Sequence, residues 1–338
     1  MTDFHACPSH AATYLVRAAV TAPSVHNTQP WLFVEEGRDR SIEVHADIAR
    51  RLLLTDPFGR EMVISCAAAL FNIRLAMRHL GINPAVQPFP HPGSPTFVAR
   101  VGWGPYRRPT LDEERMYGAL SRRHTVRGPF RTESVPVPLI DALREHAAAE
   151  GATLHFMDAG NDRRRLAEVV RAAEGVHRTD PGHIAEQARW VRPARRPRYD
   201  GVPAYASVAN PDSTLLPGRD YAGRSRIFPS PARRWSRRTG LIVVLSTDRD
   251  DRPDWLRAGQ ALERILLYAA TENVMAAFHT QPLELPRLRA RVRETLTAGE
   301  FPQMILRLGY APSIRPVPRR PASEVLSVGD TRAVAGAR

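Results

Sequence analysis

Ser24, Asn27 and Gln29 lie within Ala22–Trp31, A-P-S-V-H-N-T-Q-P-W. A hydroxyl and two side-chain amides at this spacing all donate and accept hydrogen bonds. Pro23 cannot extend the helix-like run Tyr14–Val20 before it, and it biases Ala22 out of the helical region. Trp31 anchors the far end and opens a strand-like run. One reading is a plain helix stop and turn, since clusters of Pro, Ser, Asn and Thr are mostly loops. The other is a rigid amide-bearing edge facing a planar ligand with donors and acceptors of its own, such as a flavin.

The stretch resembles the flavin-facing segment of the nitroreductase family, whose pattern runs P-S-S-x-N-x-Q-P-W. Pro23, Ser24, Asn27, Gln29, Pro30 and Trp31 carry the match, and Val25 stands where the family often has a second serine. A second stretch, Ser121–Phe130, S-R-R-H-T-V-R-G-P-F, resembles the family's phosphate motif. Arg123, His124, Thr125 and Arg127 fall on the family positions, with Arg122 beside them. The phosphate of flavin mononucleotide (FMN) carries close to two negative charges. Arginine gives it planar multi-donor contacts, and the Thr125 hydroxyl adds another. Standing alone, this stretch would read as a solvated basic helix end.

Two further segments resemble family features. Arg319 and Arg320, in Pro318–Pro321, follow the last strand-like run, where the family returns basic residues to the phosphate. Thr280–Glu284, with Gln281 and Leu283, resembles the loop that passes the reactive edge of the ring, where a backbone N–H could reach flavin N5 and tune hydride acceptance. No residue outside the flavin is implied as catalytic.

The elements that must position these residues follow from pattern. Strands are expected over Trp31–Glu36, Ser41–Asp47, Ala85–Phe89, Thr96–Trp103, Thr153–Met157, Leu241–Ser246 and Gln303–Tyr310. Helices are expected over Glu61–Leu80, Asp112–Arg123, Pro138–Glu150, Asp162–His177, Trp255–Phe278 and Pro286–Leu296. Ile314–Arg338 reads as a Pro/Arg-rich tail. A faint repeat pairs Arg100–Pro105 with Arg307–Pro312, and Ala69, Leu70, Ile73 and Leu75 with Ala261, Leu262, Ile265 and Leu267. Two copies of one helix-and-strand unit can reproduce inside one chain the two-fold contact of a homodimer.

The resemblance and the repeat together imply an α+β nitroreductase-like fold, a fused pseudo-dimer with halves at 1–109 and 110–338. The counterpart of Arg122–Arg127 in the first half is expected at Leu15–Thr21, where only Arg17 is basic, so one FMN site per chain is implied. The duplication points to the Acg-type branch. Residues 192–238, dense in Pro and Arg, are too long for an ordinary connection and read as a lid-like insertion. Pro197, Pro203, Pro211 and Pro217 stiffen it, and Tyr199, Tyr205 and Tyr221 offer flat apolar contacts.

Composition narrows the classes. The 338 residues are 43% hydrophobic and 25% charged, as in soluble globular proteins. No apolar run is long enough for a membrane span, and the first residues lack a signal-peptide pattern. The net charge of +13 invites a nucleic-acid reading, but all 48 basic Lys+Arg residues are Arg and are spread along the chain. That is a coding bias rather than a phosphate-binding face, so neither nucleic acid nor membrane is expected as a partner. Two distant cysteines, Cys7 and Cys66, make no disulfide framework. His5-x-Cys7-x-x-His10 could hold a metal but sits at a terminus, where order is usually poor, so no metal is expected. The expectation is a cytoplasmic monomer that uses NAD(P)H as reductant and a nitroaromatic or quinone as small-molecule electron acceptor. The alternative is a protein that sequesters FMN beneath a closed lid with little turnover.

Overall fold

The computed structural model describes residues 8–37, 41–192, 198–206, 214–221 and 239–329. The first set of elements is α1 (His10–Ala19), β1 (Trp31–Glu36), β2 (Ser41–Ala46), α2 (Arg60–His79), β3 (Ile82–Pro88) and β4 (Phe97–Tyr106). Then come α3 (Leu111–Ala119), α4 (Val137–Ala148), β5 (Thr153–Phe156), α5 (Gly160–Thr179), α6 (Pro181–Ala188) and the short β6 (Val191–Arg192) and β7 (Val202–Pro203). The chain continues with β8 (Leu241–Thr247), α7 (Arg252–Thr271), β9 (Val274–Phe278), α8 (Pro286–Leu296), β10 (Phe301–Tyr310), α9 (Ala322–Val325) and β11 (Leu326–Val328). This is an α+β fold.

The larger sheets run β11-β1-β2-β4-β3 and β5-β8-β10-β9. With β11 set aside, the two orders are the same: a strand pair, a long helix, then a strand pair whose last member lies inside. The long helices are α2 and α7, the two that carry the sequence repeat. They pack closely on each other because Gly259 of α7 has no side chain. A Cβ there would lie 2.3 Å from the Ile64 carbonyl oxygen and 2.5 Å from Ala67 Cβ. The Ala-rich run Cys66–Ala69 is fully buried, so the main chains approach where bulk would keep them apart.

Matching the helix before the first strand of each set pairs α1 with α4.

Three departures have physical causes. The expected helix Trp255–Phe278 stops at Thr271, and its end is the strand β9. Asn273 takes a left-handed φ of 60°, which asparagine tolerates at a helix end, and the Ala-rich run beyond it pairs with β10. Helix α6 was not expected. The Asp180 side chain caps it by accepting from His183 N at 2.8 Å, and Pro181 opens it. The expected tail contains β11, which lies parallel to β1 with Phe33 opposite Leu326. The last strand therefore belongs to the first sheet and crosses the expected division at 109/110.

Candidate functional site

The loop Ala22–Trp31 is built by its own hydrogen bonds. Thr28 N donates to Val25 O at 2.9 Å, and Ser24 Oγ accepts from Gln29 N at 2.9 Å. His26, Asn27 and Gln29 take left-handed φ values of 50°, 56° and 52°. Such conformations cost energy in non-glycine residues, and they concentrate at functional sites where the surroundings hold them. Here the holding is done by the two amides. Asn27 Nδ2 donates to Gly201 O at 3.0 Å and Pro318 O at 3.1 Å. Gln29 Nε2 donates to Tyr199 O at 2.7 Å, and its Oε1 accepts from Arg320 N at 2.8 Å. Both amides face the chain, not open space.

Beside this loop lies a narrow slot. Pro23, Ser24 and His26 form one wall. The α2–α7 contact supplies Ile64, Ser65 and Leu262, and Met304 of β10 joins them. Thr125 and Arg127 line another side, placed by Val126 N donating to Ala276 O of β9 at 2.8 Å. His279, Thr280 and Arg307 line the inner end. Gly218, Arg219 and Tyr221, from the expected insertion, line the slot as well.

Two arginines that do not themselves line the slot converge on Thr21, close in sequence to Pro23 and Ser24 of its wall. Arg123 is buried, at 4% exposure, and Arg319 is half-buried; both direct an N–H toward Thr21 O, at 2.8 and 3.5 Å. The Nε atoms of both lack a hydrogen-bond partner. The nearest acid is Glu263, 3.6 Å from Arg123 Nε, and burial pushes its carboxyl up to about 7. Burial and the neighbouring Arg123 lower the Arg319 guanidinium to about 9. Burial and Arg123 also lower His124 to about 4, so its ring is neutral near pH 7. Among the described residues Arg127 makes no ion pair. Its guanidinium lies 5.8 Å from the Tyr221 ring centre.

Among the described residues Arg307 is a second cation without an acid. It is 1% exposed and donates to His279 Nε2 at 2.7 Å, Thr239 O at 2.8 Å and Gly128 O at 3.2 Å. All three partners are uncharged, His279 being held neutral by burial and by Arg307 itself. Phe130, the aromatic of the Ser121–Phe130 stretch, lies under Arg307 at 5.1 Å and fills the space left by Gly309.

The remaining expected residues sit elsewhere. Arg122 is exposed and donates to Gly118 O at 3.3 Å. Arg320 is directed at Gln29 O and Glu324 O. Gln281 donates to Glu174 at 3.1 Å, and Leu283 lies in the apolar core around α5 and α8. Cys66 is buried, while Cys7 lies outside the described residues. Among the described residues no helix is long and apolar enough to cross a membrane, and no three metal-binding side chains cluster. The sequence reading missed Arg307 and Glu263. The available signal was a charged residue inside the apolar runs of β10 and α7.

No protein-family model matches the chain. A Mycobacterium tuberculosis H37Rv protein provisionally named NAD(P)H nitroreductase Rv3131 is 34% identical over 316 residues, covering 91% of this chain and 88% of the relative. The chain belongs to the NAD(P)H nitroreductase family. A second M. tuberculosis member, provisionally named NAD(P)H nitroreductase acg, is 29% identical over 319 residues, covering 93% of this chain and 94% of its own. Among solved structures, a nitroreductase of Anabaena variabilis, also provisionally named, aligns with 90% of this chain and 74% of its own at 10% identity and a TM-score of 0.45. An FMN-bound nitroreductase of Desulfitobacterium hafniense aligns with 64% of this chain and 98% of its own at 14% identity and a TM-score of 0.38. Likenesses this low carry no argument about the ligand, which rests on the slot itself.

Proposed function

We propose that the slot holds one FMN and that the chain is an oxidoreductase carrying electrons from NADH or NADPH to a nitroaromatic or a quinone. The observation that carries this reading is the convergence of Arg123 and Arg319 on Thr21, the Nε atom of each buried and without a hydrogen bond among the described residues. Unpartnered buried donors are rare and costly, and a phosphate brings the oxygens and the charge they lack. Thr125 adds a hydroxyl, and Arg127 a cation that makes no ion pair among the described residues. Ile64, Leu262 and Met304 offer apolar faces to a flat ring, and Ser24 a polar contact. Arg307, without an acid beside it, suits an electron-rich ring edge. When bound, the flavin supplies the hydride chemistry.

In this reading Arg122 and Arg320 do not touch the phosphate. Asn27, Gln29, Gln281 and Leu283 hold the loops around the site rather than the ring. The matching strand orders of the two sheets favour a fused pseudo-dimer that acts as a monomer, with one complete site. The same reading makes the protein cytoplasmic.

A second reading, FMN sequestration with little turnover, is favoured by Arg219. This insertion residue lines the slot and pairs with buried Glu284, so the segment at 214–221 acts as a fastened lid. Anaerobic mixing of the reconstituted protein with NADH or NADPH separates the two. Rapid flavin bleaching supports the enzyme, and bound flavin that stays oxidised supports storage. A chain that takes up no FMN ends both.

A further inference from the structure

His26 and Tyr221 meet on the wall of the slot, and flavin binding uses neither. His26 Nδ1 lies 3.0 Å from the Tyr221 hydroxyl, and the rings meet edge to face with centres 5.6 Å apart. Both side chains line the slot. His26 reaches this position only through a left-handed backbone at φ 50°, so the loop is strained where the imidazole is presented. Tyr221 comes from the far side, from the segment that closes the slot.

The surroundings fix the protonation states. Burial, then Arg219, His177 and Arg127, hold the His26 imidazole well below its usual range, so it is neutral, with one ring nitrogen carrying a proton and the other free to accept a hydrogen bond. Burial keeps the Tyr221 hydroxyl protonated, with Glu284 and Glu174 acting in the same sense. Arg219 and Arg127 act the other way and favour the phenolate. The result is a phenol that carries its proton at rest and has two cations near the charge left when the proton departs.

We propose that Tyr221, hydrogen-bonded to His26, is the proton donor to an oxygen-bearing acceptor bound in the slot, an inference that rests on the FMN reading. For a quinone, hydride from the reduced flavin brings two electrons and one hydrogen to one end of the acceptor. The oxygen at the other end takes the second hydrogen as a proton. The Tyr221 O–H bond breaks, its electron pair stays on the tyrosine oxygen, and an O–H bond forms on the acceptor. Solvent restores the proton to the phenolate through the His26 imidazole. Quinone, hydride and proton sum to hydroquinone.

The test compares p-benzoquinone with ferricyanide, which takes one electron and no proton. In holoprotein carrying Tyr221→Phe, the ratio of quinone to ferricyanide turnover should fall about 100-fold, the lower range for a positioned acid. His26→Asn, which tolerates the left-handed backbone, should lower the same ratio. Binding of hydroquinone to oxidised holoprotein, read from the flavin spectrum, should weaken roughly 2- to 12-fold in Tyr221→Phe, the worth of one hydrogen bond. Unchanged ratios in variants that keep FMN overturn the proposal and leave the FMN reading standing. Loss of FMN from both variants makes the pair structural and also overturns it. Wild-type protein that takes no FMN overturns both.

Discussion

Arg319 Nη1 donates to Asn27 Oδ1 at 3.0 Å, joining residues 292 positions apart. The same Asn27 holds Gly201 and Pro318. One amide therefore ties together the strained loop, the returning C-terminal arm and the segment at 198–206. Asn27→Ala should leave Arg319 free to swing and should weaken FMN binding about 10-fold, the effect of freeing one charge-assisted contact. Fluorescence titration of apoprotein with FMN checks this. Unchanged affinity would mean that Arg319 is positioned by its main-chain partners alone.

Removing a charge-assisted contact to phosphate costs roughly 1.5–3 kcal/mol, about 10- to 150-fold in affinity. Arg123→Ala should show that loss, while exposed Arg122→Ala should show almost none. Arg123→Ala also leaves Glu263 without its cation. The double variant Arg123→Ala/Glu263→Gln should therefore regain stability in urea without regaining FMN. Glu263→Gln alone removes an acid from the phosphate end and should tighten FMN binding. Equal losses from Arg122 and Arg123 would show that phosphate recognition is diffuse.

Glu61 is buried, and burial, then Glu284, pushes its carboxyl up to about 8 despite Arg60. A raised carboxyl contributes stability that is full below about 4.5 and is lost as pH rises through about 8. The urea midpoint of the wild type should fall between pH 6 and pH 9, and that of Glu61→Gln should fall less. Parallel curves would mean that Glu61 is ionised throughout this range.

Gly259→Ala places a methyl against the Ile64 carbonyl and Ala67. Overpacking of this kind costs about 1–3 kcal/mol. Because Ile64 and Leu262 line the slot, FMN affinity should fall along with the melting temperature. A stable variant with unchanged affinity would show that the α2–α7 contact has room to relax.

Arg219→Gln with Glu284→Gln removes both charges of the pair together, which avoids a lone buried charge. FMN release and reduction by NADH or NADPH should both accelerate, as stopped-flow absorbance would record. If neither changes, the 214–221 segment is not the barrier to the slot.

Legibility in the sequence followed the length scale of the forces. Pro23, Gly81 and the period of α2 act within a few residues, so the helix stops and most strands could be read directly. Arg123 and Arg319 could be singled out by residue type and resemblance, but their convergence on Thr21 O could not. The protein partners of Asn27 and Gln29, namely Gly201, Tyr199, Pro318 and Arg320, are remote in sequence and no local pattern names them. β9 was lost in a helix because Val274–Phe278 is Ala-rich, and only pairing with β10 makes it a strand. Arg307 was passed over because its significance lies in an absent acid, which no local pattern records.

The parallel pairing of β11 with β1 has a consequence for synthesis. β1 leaves the ribosome long before β11, so the sheet edge beside β1 stays open until Leu326–Val328 have been made. Arg319 cannot reach Asn27 before the same moment. A nascent or prematurely ended chain should therefore expose the edge of β1 to other strands and hold no flavin. Capture of the cofactor would then report that translation has passed Val328.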